Sequence, residues 1–124
     1  MIDFQNAAFA KLRQIENTGY SASISPMFID GEEIICTFKS VRDGVVFTNK
    51  RIFVINIQGV MGRKIDYTSL PYSKIQAFSV ETAGVLDLDS ELELWFSGLG
   101  KVKLEFSAHA DVGQICKMIS DRVL

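Results

Sequence analysis

Cysteine, histidine and positive charge are all in short supply in this chain, and each shortage removes a class of function. The two cysteines, Cys36 and Cys116, lie far apart, each inside an apolar run. They read as buried thiols of a reducing compartment rather than a CxxC pair or a disulfide staple. The single histidine, His109, stands beside the last predicted helix with no serine or cysteine partner near it. It reads as a capping or surface residue, not a general base. One histidine and two distant cysteines make no zinc set, so no metal and no cofactor are expected. Asp87, Asp89 and Glu91 supply too few oxygen ligands at fixed spacing for a calcium loop. Gly59 and Gly62 are not followed by the lysine-serine pair of a phosphate-cradling loop. Thirteen Lys and Arg against fifteen Asp and Glu give a net charge of -2, which argues against a nucleic-acid partner. No apolar run approaches the roughly 20 residues of a membrane span. The start, MIDFQNAAFAKLRQIENTG, lacks the basic region and apolar core of a secretion signal, so a cytoplasmic location is expected. There are no internal repeats or low-complexity tracts.

What the chain does have is β-branched and aromatic residues in short runs. With 124 residues, 48% hydrophobic and 23% charged, it is sized for one domain with one core. The most informative run is Asp43 to Ile57, DGVVFTNKRIFVINI. Two apolar arms flank Thr48-Asn49-Lys50-Arg51, which predicts a β-hairpin turning at Asn49-Lys50. Neither arm alternates apolar with polar, so both faces need a cover, from this chain or from another copy.

Around this hairpin the pattern predicts further elements. Phe4, Ala8, Leu12 and Ile15 recur at spacings of four, four and three, predicting a helix over Asp3 to Asn17 that Gly19 stops. Tyr20 to Pro26 reads as a connector. Strands follow at Glu32–Phe38, in the two hairpin arms, at Arg63–Leu70 and at Ile75–Glu81. Two more carry the triplets Leu92, Leu94, Phe96 and Val102, Leu104, Phe106. Burying both triplets on one face excludes a two-residue turn, and a three-residue loop at Gly98-Leu99-Gly100 fits, with Trp95 opposite Lys103 on the outer face. Asp111 and Gln114 form a capping box for a last helix whose stripe is Val112, Ile115, Cys116, Ile119 and Val123. Seven strands and one amphipathic helix fit a strongly bent sheet or partly open barrel plugged at one end.

In this order the segments FIDGEEIICTF, RDGVVFTNKRI, DYTSLPYSKI, FSVETAG and DLDSELELWFSG, with the closing helix, resemble a stand-alone bacterial pleckstrin-homology domain. The resemblance implies a mainly β fold with helices: a seven-stranded bent barrel capped by the C-terminal helix over residues 21–124. Residues 1–20 form a helical extension. It also implies ring-like homo-oligomers and a non-enzymatic role. The expected function is an assembly module that self-associates through Val45, Phe47, Ile52, Val54 and Trp95 and presents a surface to a protein or peptide. The alternative is a peripheral module holding anionic lipid headgroups, as eukaryotic relatives of the fold do, through Lys39 and Arg42. Lys50 and Arg51, with Arg63 and Lys64, form a second basic cluster.

Overall fold

The computed structural model describes residues 4, 9–59, 64–82 and 89–124. Eight strands and two helices follow one another as β1 (Phe9–Ile15), α1 (Thr18–Ile24), β2 (Ile34–Lys39), β3 (Gly44–Thr48), β4 (Arg51–Gln58), β5 (Lys64–Pro71), β6 (Ile75–Glu81), β7 (Ser90–Phe96), β8 (Gly100–Phe106) and α2 (Val112–Val123). Short 3-10 turns follow α1 at Ser25–Met27 and precede β6 at Tyr72–Lys74. All eight strands join one sheet in the order β5-β4-β3-β2-β1-β8-β7-β6.

The N-terminal region differs from the sequence expectation. A helix is present, but at Thr18–Ile24, where a connector is predicted. Of the predicted helix of residues 3–17, Phe9 to Ile15 form the strand β1, and Glu16 and Asn17 are the turn that leads into α1. Residues 3 and 5–8 of that prediction lie outside the described residues. β1 pairs antiparallel with β2, Arg13 opposite Lys39 and Ile15 opposite Thr37. It pairs parallel with β8, Phe9 opposite Leu104 and Leu12 opposite Phe106. Leu12 is fully buried between exposed Lys11 and Arg13, a period of two that the helical spacing hides. Two waiting strand edges override local helix propensity here. The segment before Ser21 therefore supplies the strand that joins β2 to β8, and seven predicted strands become eight.

The β3–β4 hairpin forms as the sequence predicts, with Val45 opposite Val54 and Phe47 opposite Ile52. Its two faces enter different apolar clusters. Val45, Phe47, Ile52 and Val54 join the main core with Leu12, Phe38, Leu92, Leu94, Leu104, Phe106 and Ile119. Val46, Phe53 and Ile55 pack with Ile24 of α1, flanked by Tyr20, Phe28, Ile34 and Tyr67. Helix α1 is thus the second cover. This corrects the interface assignment for Val45, Phe47, Ile52 and Val54: each is 0% exposed within one chain and cannot reach a neighbour. At about 1.5–3 kcal/mol per large apolar side chain, both clusters are substantial.

Two finer points bear on the surfaces. On β5, Thr68 and Leu70 turn inward, while Ile65 is exposed and Tyr67 lies on the α1 side. The β7–β8 connection is Ser97-Gly98-Leu99, since Phe96 pairs with Gly100. That is one residue earlier than predicted, so Trp95 faces Lys101, not Lys103. The loop still has three residues, so both inward triplets stay buried, and Gly98 and Gly100 carry the positive φ the turn demands.

Helix α2 starts at Asp111, whose carboxylate accepts from the Gln114 N–H at 3.1 Å. Ile115, Met118 and Ile119 are its buried residues. Near its end, Arg122 donates from Nε to the Asn49 carbonyl at 3.0 Å and lies over the Tyr72 ring.

Candidate functional site

The four cations predicted to hold an anion fall into two separate groups. Lys39 and Arg42 flank the β2–β3 loop at one end of β3; Lys50 and Arg51 form the β3–β4 turn at its other end. The fold does not bring them together.

Arg51 is committed to structure. Its Nη2 meets Glu32 Oε1 at 2.8 Å and its Nε meets Oε2 at 3.0 Å, a bidentate pair. The same guanidinium donates to the Met27 carbonyl at 2.6 Å and to Ser69 Oγ at 3.2 Å, and stacks over Phe53 at 4.3 Å. The Glu32 side chain has 0% exposure. Burial alone pushes its pKa up. Hydrogen bonds from Arg51, the Thr48 hydroxyl and the Ile29 N–H, with the Arg51 charge, outweigh this and hold it below the usual value. Thr48 Oγ1 donates to Glu32 at 2.7 Å and accepts the Lys50 and Arg51 N–H groups. The Thr48 carbonyl accepts the Tyr72 hydroxyl at 2.7 Å, while the Asn49 side chain clamps Gly31 and Glu33. Thr48 to Arg51 is therefore a hub tying residues 27–33, β5 and α2 to one turn, not a ligand site. Lys50 is exposed on that turn.

The other group is open to solvent. Val41, at the apex of the β2–β3 loop, is 94% exposed between Lys39 and Arg42. Arg42 Nη2 donates to the Gly59 carbonyl at 2.9 Å, tying this loop to the end of β4, where Gln58 pairs with Lys64. Arg13, opposite Lys39 on β1, adds a cation that the sequence reading missed, because a helix was expected there. Asp43 turns away to accept from Asn56 at 2.7 Å. Beside it the Tyr20 ring fills the space over Gly44, where a Cβ would come within 2.5 Å of the ring. Among the described residues the enclosed Tyr20 hydroxyl has no hydrogen-bond partner. Arg63 lies outside the described residues.

Nothing in the described residues assembles a reactive centre. Cys36 lines a cavity of about 220 Å³ between β2 and α2 with Gln14, Phe38, Ile115 and Met118. Burial pushes its thiol up to about 12, the opposite of an activated nucleophile. Cys116 is also raised by burial. His109 is exposed in the turn before α2 with φ of +81°. Among the described residues no group of three His, Cys, Asp or Glu could hold a metal ion. Asp87 lies outside them. No described helix is long and apolar enough to cross a membrane.

Of the five residues expected at an interface, Trp95 is the one that reaches the surface. Half-buried, it sits on the outer face of the β6–β7–β8 sheet between Ala77 and Lys101. Next to that row, Lys101 bonds Glu93 at 3.2 Å and Lys103 bonds Glu91 at 3.3 Å.

Comparison with known proteins agrees with this architecture. A solved DUF1696-family protein with a pleckstrin-homology domain from Shewanella loihica PV-4 is 37% identical. The match covers 93% of this chain and 99% of that one, with a TM-score of 0.81. A solved pleckstrin-homology domain from Shewanella amazonensis SB2B is 41% identical over 96% of this chain and 93% of its own, with a TM-score of 0.67. The uncharacterized protein YjqA of Bacillus subtilis (strain 168) is 41% identical over 99 residues, 78% of this chain and 79% of YjqA. The model of the bacterial PH domain matches residues 3–123. With the barrel-like sheet, the closing helix and that near-complete match, the chain belongs to the bacterial PH domain family.

Proposed function

We propose that this chain is a non-catalytic binding module of the cytoplasm that self-associates and presents a surface to a protein or peptide partner. With Val45, Phe47, Ile52 and Val54 inside the core, the reading rests on the outer face of β6, β7 and β8. No described element covers this face, and it carries the half-buried Trp95. A tryptophan beside a small residue and a lysine stem offers a large rigid contact area at low entropic cost. Trp95 is the sole tryptophan, so its emission reports directly on this face. Light scattering should give a mass above 13.8 kDa at tens of micromolar, and Trp95→Ala should lower it. A strict monomer at that concentration would sink the reading.

A second reading has its own support in the β2–β3 loop. An apex Val41 flanked by Lys39 and Arg42, with Arg13 and Lys64 behind, suits contact with an anionic lipid surface. Each cation there is worth about 1 kcal/mol, weakened by salt. Assembly would multiply these contacts. Co-sedimentation with phosphatidylserine vesicles tests it: binding at low salt should disappear in Lys39→Ala plus Arg42→Ala, and no binding by the unaltered chain rejects it.

A further inference from the structure

We infer that the cavity between β2 and the first turns of α2 is a binding site for a small aryl amine, with the ring inside and the ammonium group at the rim. The inference goes beyond both surface readings: none of the described residues lining this cavity belongs to the Trp95 face or to the β2–β3 loop. The cavity holds about 220 Å³. Protein interiors seldom keep a void much larger than a water molecule, and a dry apolar cavity of about 150 Å³ is enough to take up benzene. The space here therefore suits one aromatic ring carrying a short chain.

The register of the sheet produces this opening. Gln14 lies opposite Phe38 and Ile15 opposite Thr37, and there the described pairing of β1 with β2 ends. Cys36 lies past that end, and the first turns of α2 stand across the gap. Phe38, Ile115 and Met118 are buried and form the apolar wall, with Cys36 partly buried beside them. An aromatic ring among a phenylalanine and two sulfur-bearing side chains gains favourable ring and sulfur contacts. Burial pushes the Cys36 thiol up to about 12, so it stays protonated and the guest is held without a covalent bond.

The rim sets the charge of the guest. Gln14, Asp111 and Gln114 line the exposed side of the cavity, and none of its described lining residues is a cation. Gln14 follows buried Leu12 by two residues on β1 and so shares its inward face, a place where a fully buried strand carries an apolar side chain. One oxygen of Asp111 accepts from the Gln114 N–H at 3.1 Å, so the positive end of α2 already has its anion. The second oxygen is left for an ammonium group, with the two amide oxygens as further acceptors. A carboxylate guest would meet Asp111 as a like charge.

Calorimetric titration of the full chain tests this with phenethylamine and with 3-phenylpropionate, whose head groups carry opposite charges. Phenethylamine should bind with a dissociation constant on the order of 0.1–1 mM, a range open to a ligand of its size. Phenylpropionate should bind measurably more weakly. Asp111→Asn keeps a good helix cap but loses the charge, and should weaken phenethylamine by about fivefold, the effect of one partly exposed ion pair. Cys36→Phe, which fills the cavity, should abolish binding. Amide chemical shifts of the unaltered chain give a readout that needs no variant: on adding phenethylamine they should move most at Cys36, Ile115 and Met118. Equal binding of the two compounds, unchanged affinity in Asp111→Asn, or shifts centred elsewhere overturns the inference. So does the absence of any heat or shift with phenethylamine at about 10 mM.

Discussion

Arg51 is the residue on which most local structure depends, and its removal should be costly. Arg51→Ala leaves the Glu32 carboxylate buried without its bidentate partner, the situation that typically costs about 3–5 kcal/mol. Chemical denaturation should show a midpoint shift of that size. A pH effect follows from the same pair. The folded-state pKa of Glu32 lies below its unfolded value, so the pair contributes stability fully above the unfolded pKa. That contribution fades as pH falls towards the folded value. Melting temperature should therefore drop on acidification from neutrality, and drop less in Glu32→Gln, which has no charge to lose. The Tyr20 hydroxyl works in the opposite sense: enclosed and, among the described residues, unpaired, it is a cost. Tyr20→Phe should match or exceed the unaltered stability, by about 1 kcal/mol. Gly44→Ala, which drives a methyl into the Tyr20 ring, should lose about 1–3 kcal/mol. Melting curves of the two variants check both signs.

Elements show where reading residues in order succeeds and where it stops. The β3–β4 hairpin, β7, β8 and α2 were legible because each carries its own signal: β-branched arms, strict alternation, or a capped amphipathic stripe. β1 was not. Its residues suit a helix at least as well, and its strand form comes from partners far along the chain. α1 was hidden for the converse reason, a serine-rich segment that helix propensity disfavours, made helical by docking Ile24 on Val46, Phe53 and Ile55. The candidate site was legible only in part. Arg51 looks like a free cation until Glu32, nineteen residues away, is seen beneath it. A version of the chain beginning at Ser21 lacks β1, exposing the facing edges of β2 and β8. It should aggregate or melt at least 10 °C lower by circular dichroism, rather than behave as a trimmed domain. Ile24→Ala should cost about 2–4 kcal/mol through the cavity under α1.

At the scale of the molecule, the central hairpin belongs to both apolar clusters at once, so neither can dissolve alone. Unfolding in urea should be a single transition, with Trp95 emission and far-ultraviolet dichroism tracing the same curve. The sheet also crosses the whole length of the chain: Ser107 donates through its N–H and its Oγ to the carbonyl of Leu12, 95 residues earlier. A ribosome releases the N-terminal strand long before its parallel neighbour β8 has been made. Until then β1 is an apolar ribbon with one flank vacant, and the nascent protein has to carry it unfinished. Contacts of such long range form slowly. The pairing of β1 with β8 is therefore expected to form late in folding.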